Sequence, residues 1–330
     1  MISARILGSA HLLPGRAVST AEVVERTFPG KDPARLIAAT GIYNRQWVEP
    51  GTRATDLGVE VLRQALDAAG LPASALERVI FVSSIGGDWL IPSTATAIIG
   101  ALGINGKADG FDLMNACVGM LSGIDLAARS VATGMGPVAV VTVELISRII
   151  HTGAPRVYGL FGDRVAAVIL GPARPGEGFE AVHFGNDFAE GPTISMPHPT
   201  LIGGYERADF ATSTERMTQL AVGGVVQSVT RVLEKAGLTM DEVDWFLPHQ
   251  PNRPLLGAIL AALNLDPSRV DIHVDQVGSV GAASVGISLD RLMRSGKVKP
   301  GDRILTASVG SPVVYGAMLY RVGESDQGAL

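Results

Sequence analysis

The chain has one cysteine among its 330 residues. No disulfide can therefore form within it, and a cysteine-built metal site is excluded. Charged residues make up only 18% of the sequence and the net charge is −5, so nothing in the composition encodes a basic face for nucleic acid. No run of 18 apolar residues occurs, which argues against a membrane-spanning helix. The opening Met1-Ile2-Ser3-Ala4-Arg5-Ile6 reaches Leu13-Pro14-Gly15 without the charged start and long apolar centre of a secretory signal. Low-complexity tails and blocks of like charge are also missing. These absences together lead us to expect a cytoplasmic protein with no membrane or nucleic-acid partner and no bound metal.

What the chain does have is small and apolar. Hydrophobic residues reach 47% and glycines number 40, a composition suited to closely packed helices and sheets. The length suffices for a large core in one or two domains.

The sequence also repeats itself. Leu66-Asp67-Ala68-Ala69-Gly70-Leu71, a polar turn and an apolar run to Val82 reappear as Leu233-Glu234-Lys235-Ala236-Gly237-Leu238, a polar turn and an apolar run to Leu247. Each reads as an amphipathic helix stopped by glycine, followed by a strand. A second pair follows: Ala97-Ile98-Ile99-Gly100-Ala101-Leu102-Gly103-Ile104 and Ala258-Ile259-Leu260-Ala261-Ala262-Leu263-Asn264-Leu265. The offsets are 167 (66 to 233) and 161 (97 to 258), close enough for one duplication with small loop changes. We therefore expect two βα halves, 1–171 and 172–330, meeting near the cluster from Gly171 to Gly176. Strands are expected at 79–84, 138–144, 165–170, 245–248, 303–308 and 313–321, and helices at 56–69, 93–102, 118–133, 215–236 and 254–263. This alternation predicts sheets covered by helices.

By default a lone cysteine reads as a small buried hydrophobe. Its context changes that reading. An extended run ends in Asn115-Ala116-Cys117, and a nearly uncharged helix with Gly119 and Gly123 begins at once. A sulfur at a helix N-terminus is expected to favour thiolate, the form a nucleophile needs. Adding 161 to position 117 lands on Gly278, beside Ser279, so the two loops should face one cleft. His249, in Pro248-His249-Gln250, ends an expected strand beside the same cleft. Alone it reads as a surface or capping histidine.

These segments resemble the ketoacyl synthase III family of the thiolase superfamily. Ala116-Cys117-Val118-Gly119 is similar to the family's nucleophile motif and His249-Gln250-Pro251-Asn252 to its His-Gln-x-Asn. Thr40-Gly41-Ile42-Tyr43-Asn44-Arg45, Ala54-Thr55-Asp56-Leu57, Pro92-Ser93 and Phe161-Gly162-Asp163 follow in the family's order. So does Gly278-Ser279-Val280-Gly281-Ala282-Ala283-Ser284, the counterpart of its Gly-Asn-Thr-Ser-Ala-Ala-Ser. The likeness spans residues 1 to about 322, and implies a thiolase fold: two duplicated βα halves in an α-β-α-β-α core.

The resemblance implies an acyltransferase. An acyl group from CoA or acyl carrier protein would load onto Cys117, with the backbone N–H groups of Cys117 and Ser311 facing the oxyanion. His249 would act in the second half-reaction, Asn252 would line the substrate site, and no cofactor beyond the acyl donor is implied. Ile91 matches the residue that the family inserts into the partner subunit's pocket, which implies a homodimer; a heterodimer stays open.

The sequence departs from the family in ways that bear on chemistry. Ser279 stands where the family has its active-site Asn. A carboxamide N–H₂ donates toward the forming enolate, whereas a serine offers one rotating hydroxyl. Losing such a donor costs about 3–4 kcal/mol in comparable oxyanion holes, or a hundredfold and more in decarboxylative condensation. Arg164 replaces the last glycine of Phe-Gly-Asp-Gly and reads either as a structural cation or as a group greeting a substrate carboxylate. Arg35 and Ala39 replace the residues that clamp the adenine of CoA, which favours a carrier-protein donor. Pro312 has no N–H, so the oxyanion donor falls to Ser311. The 191–200 segment is expected to cover the substrate tunnel, with His198 packing in the loop rather than serving as a second base. Three functions stay open. One is acyl transfer to an oxygen, nitrogen or activated carbon without malonyl decarboxylation, in secondary metabolism. The others are an ordinary decarboxylating ketoacyl synthase and a non-catalytic partner subunit.

Overall fold

The structure is a computed structural model that describes all residues except 190, 192–193, 199–200, 202–207, 312 and 324–330. Pro312 and parts of the expected tunnel-covering loop therefore lie outside the described residues. The strands, in chain order, are β1 (Arg5–Leu12), β2 (Arg16–Ser19), β3 (Asn44–Trp47), β4 (Arg78–Val82), β5 (Asp109–Leu113), β6 (Val138–Glu144), β7 (Arg164–Gly171), β8 (Gly178–Asn186), β9 (Ile194–Ser195), β10 (Asp209–Phe210), β11 (Trp245–Pro248), β12 (Arg303–Gly310) and β13 (Val314–Arg321). One sheet has the order β1-β7-β6-β4-β5 and the other β11-β12-β13-β8.

The two sheets share a plan. In the first, β1/β7 and β7/β6 are antiparallel while β6/β4 and β4/β5 are parallel. In the second, β8/β13 and β13/β12 are antiparallel and β12/β11 is parallel. The repeat at offset 161 also survives in backbone detail. Gly103 at φ 72° and Asn264 at φ 52° end matching helices in the left-handed region, which Gly and Asn tolerate best.

Between the sheets lie the Gly119–Ala132 and Ala283–Arg294 helices, and one core cluster joins Val82, Val140 and Ala166 of the first sheet to Leu247, Ile304 and Met318 of the second. The outer face of the first sheet is covered by the Ala54–Ala69 and Thr94–Ala101 helices, that of the second by Thr214–Ala236 and Arg253–Ala262. The result is the expected layering of helix, sheet, helix, sheet, helix. Every residue of β6 and of β7 is buried, as strands covered on both faces must be.

Several elements differ from expectation. β1, β8 and the Ala283–Arg294 helix were not among the expected elements. The second sheet also has no counterpart of β5. Position 270–274 matches Asp109–Leu113 at offset 161, yet forms no strand. Its backbone is held by the Gln250 carboxamide instead. Gln250 Oε1 accepts from the N–H groups of His273 (3.0 Å) and Val274 (3.2 Å), and its Nε2 donates to the Asp271 carbonyl (2.8 Å).

The motif Thr40-Gly41-Ile42-Tyr43-Asn44-Arg45 explains itself in packing. Gly41 sits at φ 70°, and a Cβ there would meet Arg253 Cγ at 2.2 Å. Arg45 is wholly buried and donates to Thr20 Oγ1 (3.1 Å) and the Gly159 carbonyl (2.8 Å), anchoring the loop that leads to Phe161. A Cβ on Gly162 would lie 2.5 Å from the Val277 carbonyl and 2.9 Å from Arg45 Cβ, so this close approach needs glycine.

Candidate active site

One pocket is lined by Cys117, His249, Asn252, Ser279 and Ser311 together with apolar side chains including Leu160, Phe210, Met217, Leu255 and Val313. The duplication argument expected this convergence of the 117 and 278–279 loops.

Cys117 follows β5 by a sharp turn. Ala116 has φ 43°, a left-handed conformation that costs a residue with a side chain about 1–3 kcal/mol. Residues Ala116–Val118 form a single tight turn before the Gly119–Ala132 helix. That helix sits close because a Cβ at Gly119 would meet Val82 Cγ1 at 2.6 Å, and one at Gly123 would meet Val140 Cγ1 at 2.7 Å. The other sheet braces the same turn. Ser308 Oγ donates to the Cys117 carbonyl (2.7 Å), and a Cβ on Gly310 would lie 2.7 Å from Cys117 N.

His249 ends β11, where its N–H donates to the Ala307 carbonyl (2.7 Å). The Ser279 N–H donates to the Leu160 carbonyl (2.9 Å), and its own carbonyl accepts from Gly162 N (2.9 Å). Asn252 caps the next helix, its Oδ1 accepting from Leu255 N (2.8 Å). The Ser311 hydroxyl is engaged in both directions, donating to the Ile194 carbonyl and accepting from Ile194 N, each at 2.8 Å. Only main-chain donation is then left for Ser311 to offer a ligand.

The electrostatics overturn one expectation. The thiol was expected to be biased toward thiolate by its helix. Instead, burial, with a smaller contribution from the nearby Glu144 carboxylate, pushes Cys117 up to about 12. The sulfur precedes the helix by a turn, and its desolvation outweighs the dipole. Burial, with a smaller contribution from neighbouring His273, pulls His249 down to about 3. The resting pair is therefore neutral thiol and neutral imidazole.

Glu144 went unnoticed in the sequence, although a lone acid closing the apolar run Val138-Ala139-Val140-Val141-Thr142-Val143 was a usable signal. Wholly buried, it accepts from Ser84 Oγ (2.6 Å) and Ala282 N (3.0 Å), tying the first sheet to the loop after Ser279. Burial raises it to about 7.

Arg164 does not line the pocket, which corrects the reading of it as a substrate-facing cation. The guanidinium is buried at the start of β7, and burial lowers it to about 10. Ile91 is 88% exposed beside the exposed Leu90 and Trp89, away from this chain's own pocket. Arg35 and Ala39 are both exposed on the surface. His198 is exposed. Among the described residues no helix is long and apolar enough to cross a membrane, and no three His, Cys, Asp or Glu side chains cluster so as to hold a metal.

A layered α/β core with a cysteine, a histidine and two loop serines in one apolar pocket defines the class of acyl-transferring condensing enzymes. Residues 111–187 match the family profile of 3-oxoacyl-[acyl-carrier-protein (ACP)] synthase III, and residues 233–322 match that of its C-terminal part. A beta-ketoacyl-[acyl-carrier-protein] synthase III of Desulfitobacterium hafniense is 30% identical over 97% of this chain and 98% of its own. One of the same description from Rhizorhabdus wittichii is 32% identical over 97% and 100%. The crystal structure of 3-oxoacyl-[acyl-carrier-protein] synthase III from Aquifex aeolicus superposes with TM-score 0.88 at 25% identity, over 96% of this chain and 99% of that one. The priming β-ketosynthase of the R1128 polyketide pathway gives TM-score 0.87 at 28% identity, over 98% and 97%. The chain belongs to the 3-oxoacyl-acyl-carrier-protein synthase III family of acyltransferases.

Proposed function

We propose that Cys117 accepts an acyl group from a thioester and passes it to an oxygen, nitrogen or activated-carbon acceptor without malonyl decarboxylation. The observation that carries this reading is Ser279 in the pocket with Cys117 and His249, and we read it as standing where the family has its Asn. In the first step the Cys117 sulfur attacks the thioester carbonyl as its proton passes to His249. The backbone N–H groups of Cys117 and Ser311 face the oxyanion, and the departing thiol takes the proton back from His249. In the second step His249 takes a proton from the acceptor as it attacks the acyl carbon, and the Cys117 thiol is released. Neither step asks Ser279 to hold an enolate.

The apolar lining of Leu160, Phe210, Met217, Leu255 and Val313 suits an uncharged acyl chain, and Asn252 lines the same pocket. The donor is acyl carrier protein in preference to CoA, since Arg35 and Ala39 offer no aromatic face to an adenine. The protein works as a homodimer in the cytoplasm, with Ile91 entering the partner's site, and without a cofactor. We read its two halves as dividing at 171/172. Similarity to a priming ketosynthase of a polyketide pathway supports a role in secondary metabolism. A second reading, decarboxylating condensation with Ser279 acting through a water, is favoured by relatives described as beta-ketoacyl synthases.

The test is intact-protein mass spectrometry of wild type and Cys117→Ala after exposure to acyl and malonyl thioesters. An adduct on wild type only, with malonyl retained at full mass, is expected. An acyl adduct consumed by malonyl thioester with release of carbon dioxide would establish the second reading. Absence of any adduct would overturn both and leave the non-catalytic subunit.

A further inference from the structure

One wall of the pocket comes from a short ribbon rather than from the two large sheets. β9 and β10 pair Ser195 with Asp209 and Ile194 with Phe210. Register partners project from the same face of a ribbon, and Ile194 and Phe210 both line the pocket. A two-stranded ribbon this short does not hold its own shape, so its position is set by what it is tied to.

Two ties run to residues 149–156. Ala208 N donates to the Ile149 carbonyl (3.1 Å), within an apolar cluster that includes Val157, Tyr158 and Phe161. The exposed Arg156 guanidinium lies 4.6 Å from the centre of the Phe210 ring and donates to Thr214 Oγ1 (2.8 Å). A third tie runs to Ser311, whose side chain acts as a neighbouring strand would. Its hydroxyl accepts from Ile194 N and donates to the Ile194 carbonyl, each at 2.8 Å. Both main-chain groups therefore face Ser311 and not β10. Ile194 and Phe210 are thus a non-hydrogen-bonded pair, the kind whose side chains lie closest. Ser311 follows Gly310, which packs so tightly on the nucleophile's turn that a Cβ there would lie 2.7 Å from Cys117 N. The hydroxyl thereby fixes the spacing between that turn and the wall of Ile194 and Phe210.

We propose that the Ser311 hydroxyl is a specificity determinant: it pins Ile194 and Phe210 beside Cys117, so that straight-chain acyl thioesters load and those branched next to the carbonyl are slowed. This rests on Cys117 taking the acyl group. Because the wall is pinned to the residue after Gly310, it meets the first carbons of the acyl group and not its far end. An apolar wall discriminates by fit, and one badly placed methylene is worth roughly 10–200-fold.

The test compares loading of Cys117 by hexanoyl- and 2-ethylbutanoyl-N-acetylcysteamine, isomers that differ in branching, followed by intact-protein mass. Wild type should load the straight isomer at least about tenfold faster. Ser311→Ala keeps the main-chain N–H and removes the tie, and should narrow that ratio about fivefold by speeding the branched isomer. Phe210→Ala should narrow it in the same way, and Ser311→Thr, which keeps a hydroxyl, should preserve it. A wild-type ratio near one, or an unchanged ratio in Ser311→Ala, would overturn the proposal while hexanoyl loading leaves the acyl-transfer reading standing. So would a ratio narrowed through slower hexanoyl loading alone, the mark of a merely structural serine. Should Ser311→Ala fail to fold, Ile194→Ala decides, and an unchanged ratio there would overturn the proposal. Failure of both isomers to load wild type would overturn the acyl-transfer reading and the proposal with it.

Discussion

The two halves place different structures at the same point in the repeat. In the first, β5 is a regular strand paired with β4, and it runs into the strained Ala116 that presents Cys117. In the second, the matching segment is no strand. Gln250 holds its backbone, and a short helix, Val274–Val277, leads through Gly278 at φ 74° to Ser279. The shared frame brings both loops to one pocket, while the divergent segment decides what each presents there. A rigid ladder suits a nucleophile that must be aimed. The clamped segment leads to Ser279, which lines the pocket.

This contrast can be broken most forcefully at Ser279. Ser279→Asn introduces a carboxamide at the position we read as the family's Asn, and release of carbon dioxide from a malonyl thioester should rise about a hundredfold, followed with labelled malonyl carbon. An unchanged rate would mean that the difference between the loops lies elsewhere than in this donor.

Gln250→Ala removes the clamp that replaces a strand. Three hydrogen bonds are lost and buried backbone groups are left unmatched, so the protein should lose about 2–4 kcal/mol in denaturant unfolding. A loss near zero would show that residues 270–274 hold their shape without it.

The smallest effect concerns Glu144, which ties Ser84 to the loop after Ser279 by way of Ala282. Raised to about 7 from 4.5, it binds a proton more readily folded than unfolded, so its contribution to stability is lost as pH rises from about 4.5 through 7. His249 and His273, lowered from 6.5, work in the opposite sense: they cost stability as pH falls below about 6.5. Glu144→Gln should therefore gain stability relative to wild type as pH rises from 5 to 7, and the gap should level off above, in urea melts at each pH. A constant gap would show that Glu144 is not raised.

Much of the frame could be read in residues. Gly70 and Gly237 end their helices at φ 66° and 69°, as stops after an amphipathic run should. The apolar run 138–144 became a strand buried on both faces. The 161-residue offset from Cys117 led to Gly278, beside Ser279, and Cys117 and Ser279 line one pocket. These features are local or periodic, and repeat at a fixed spacing, so the chain writes them in order.

The remainder depends on what the fold brings together from distant positions. Arg164, which the sequence left as either a structural cation or a substrate-facing one, is buried and does not line the pocket. The helix after Cys117 suggested thiolate, but desolvation by two sheets and the charge of Glu144 raise the thiol. Residue type and spacing decide which side chains can reach a pocket. Burial and neighbouring charge decide their protonation, and both depend on segments hundreds of residues apart packing into contact.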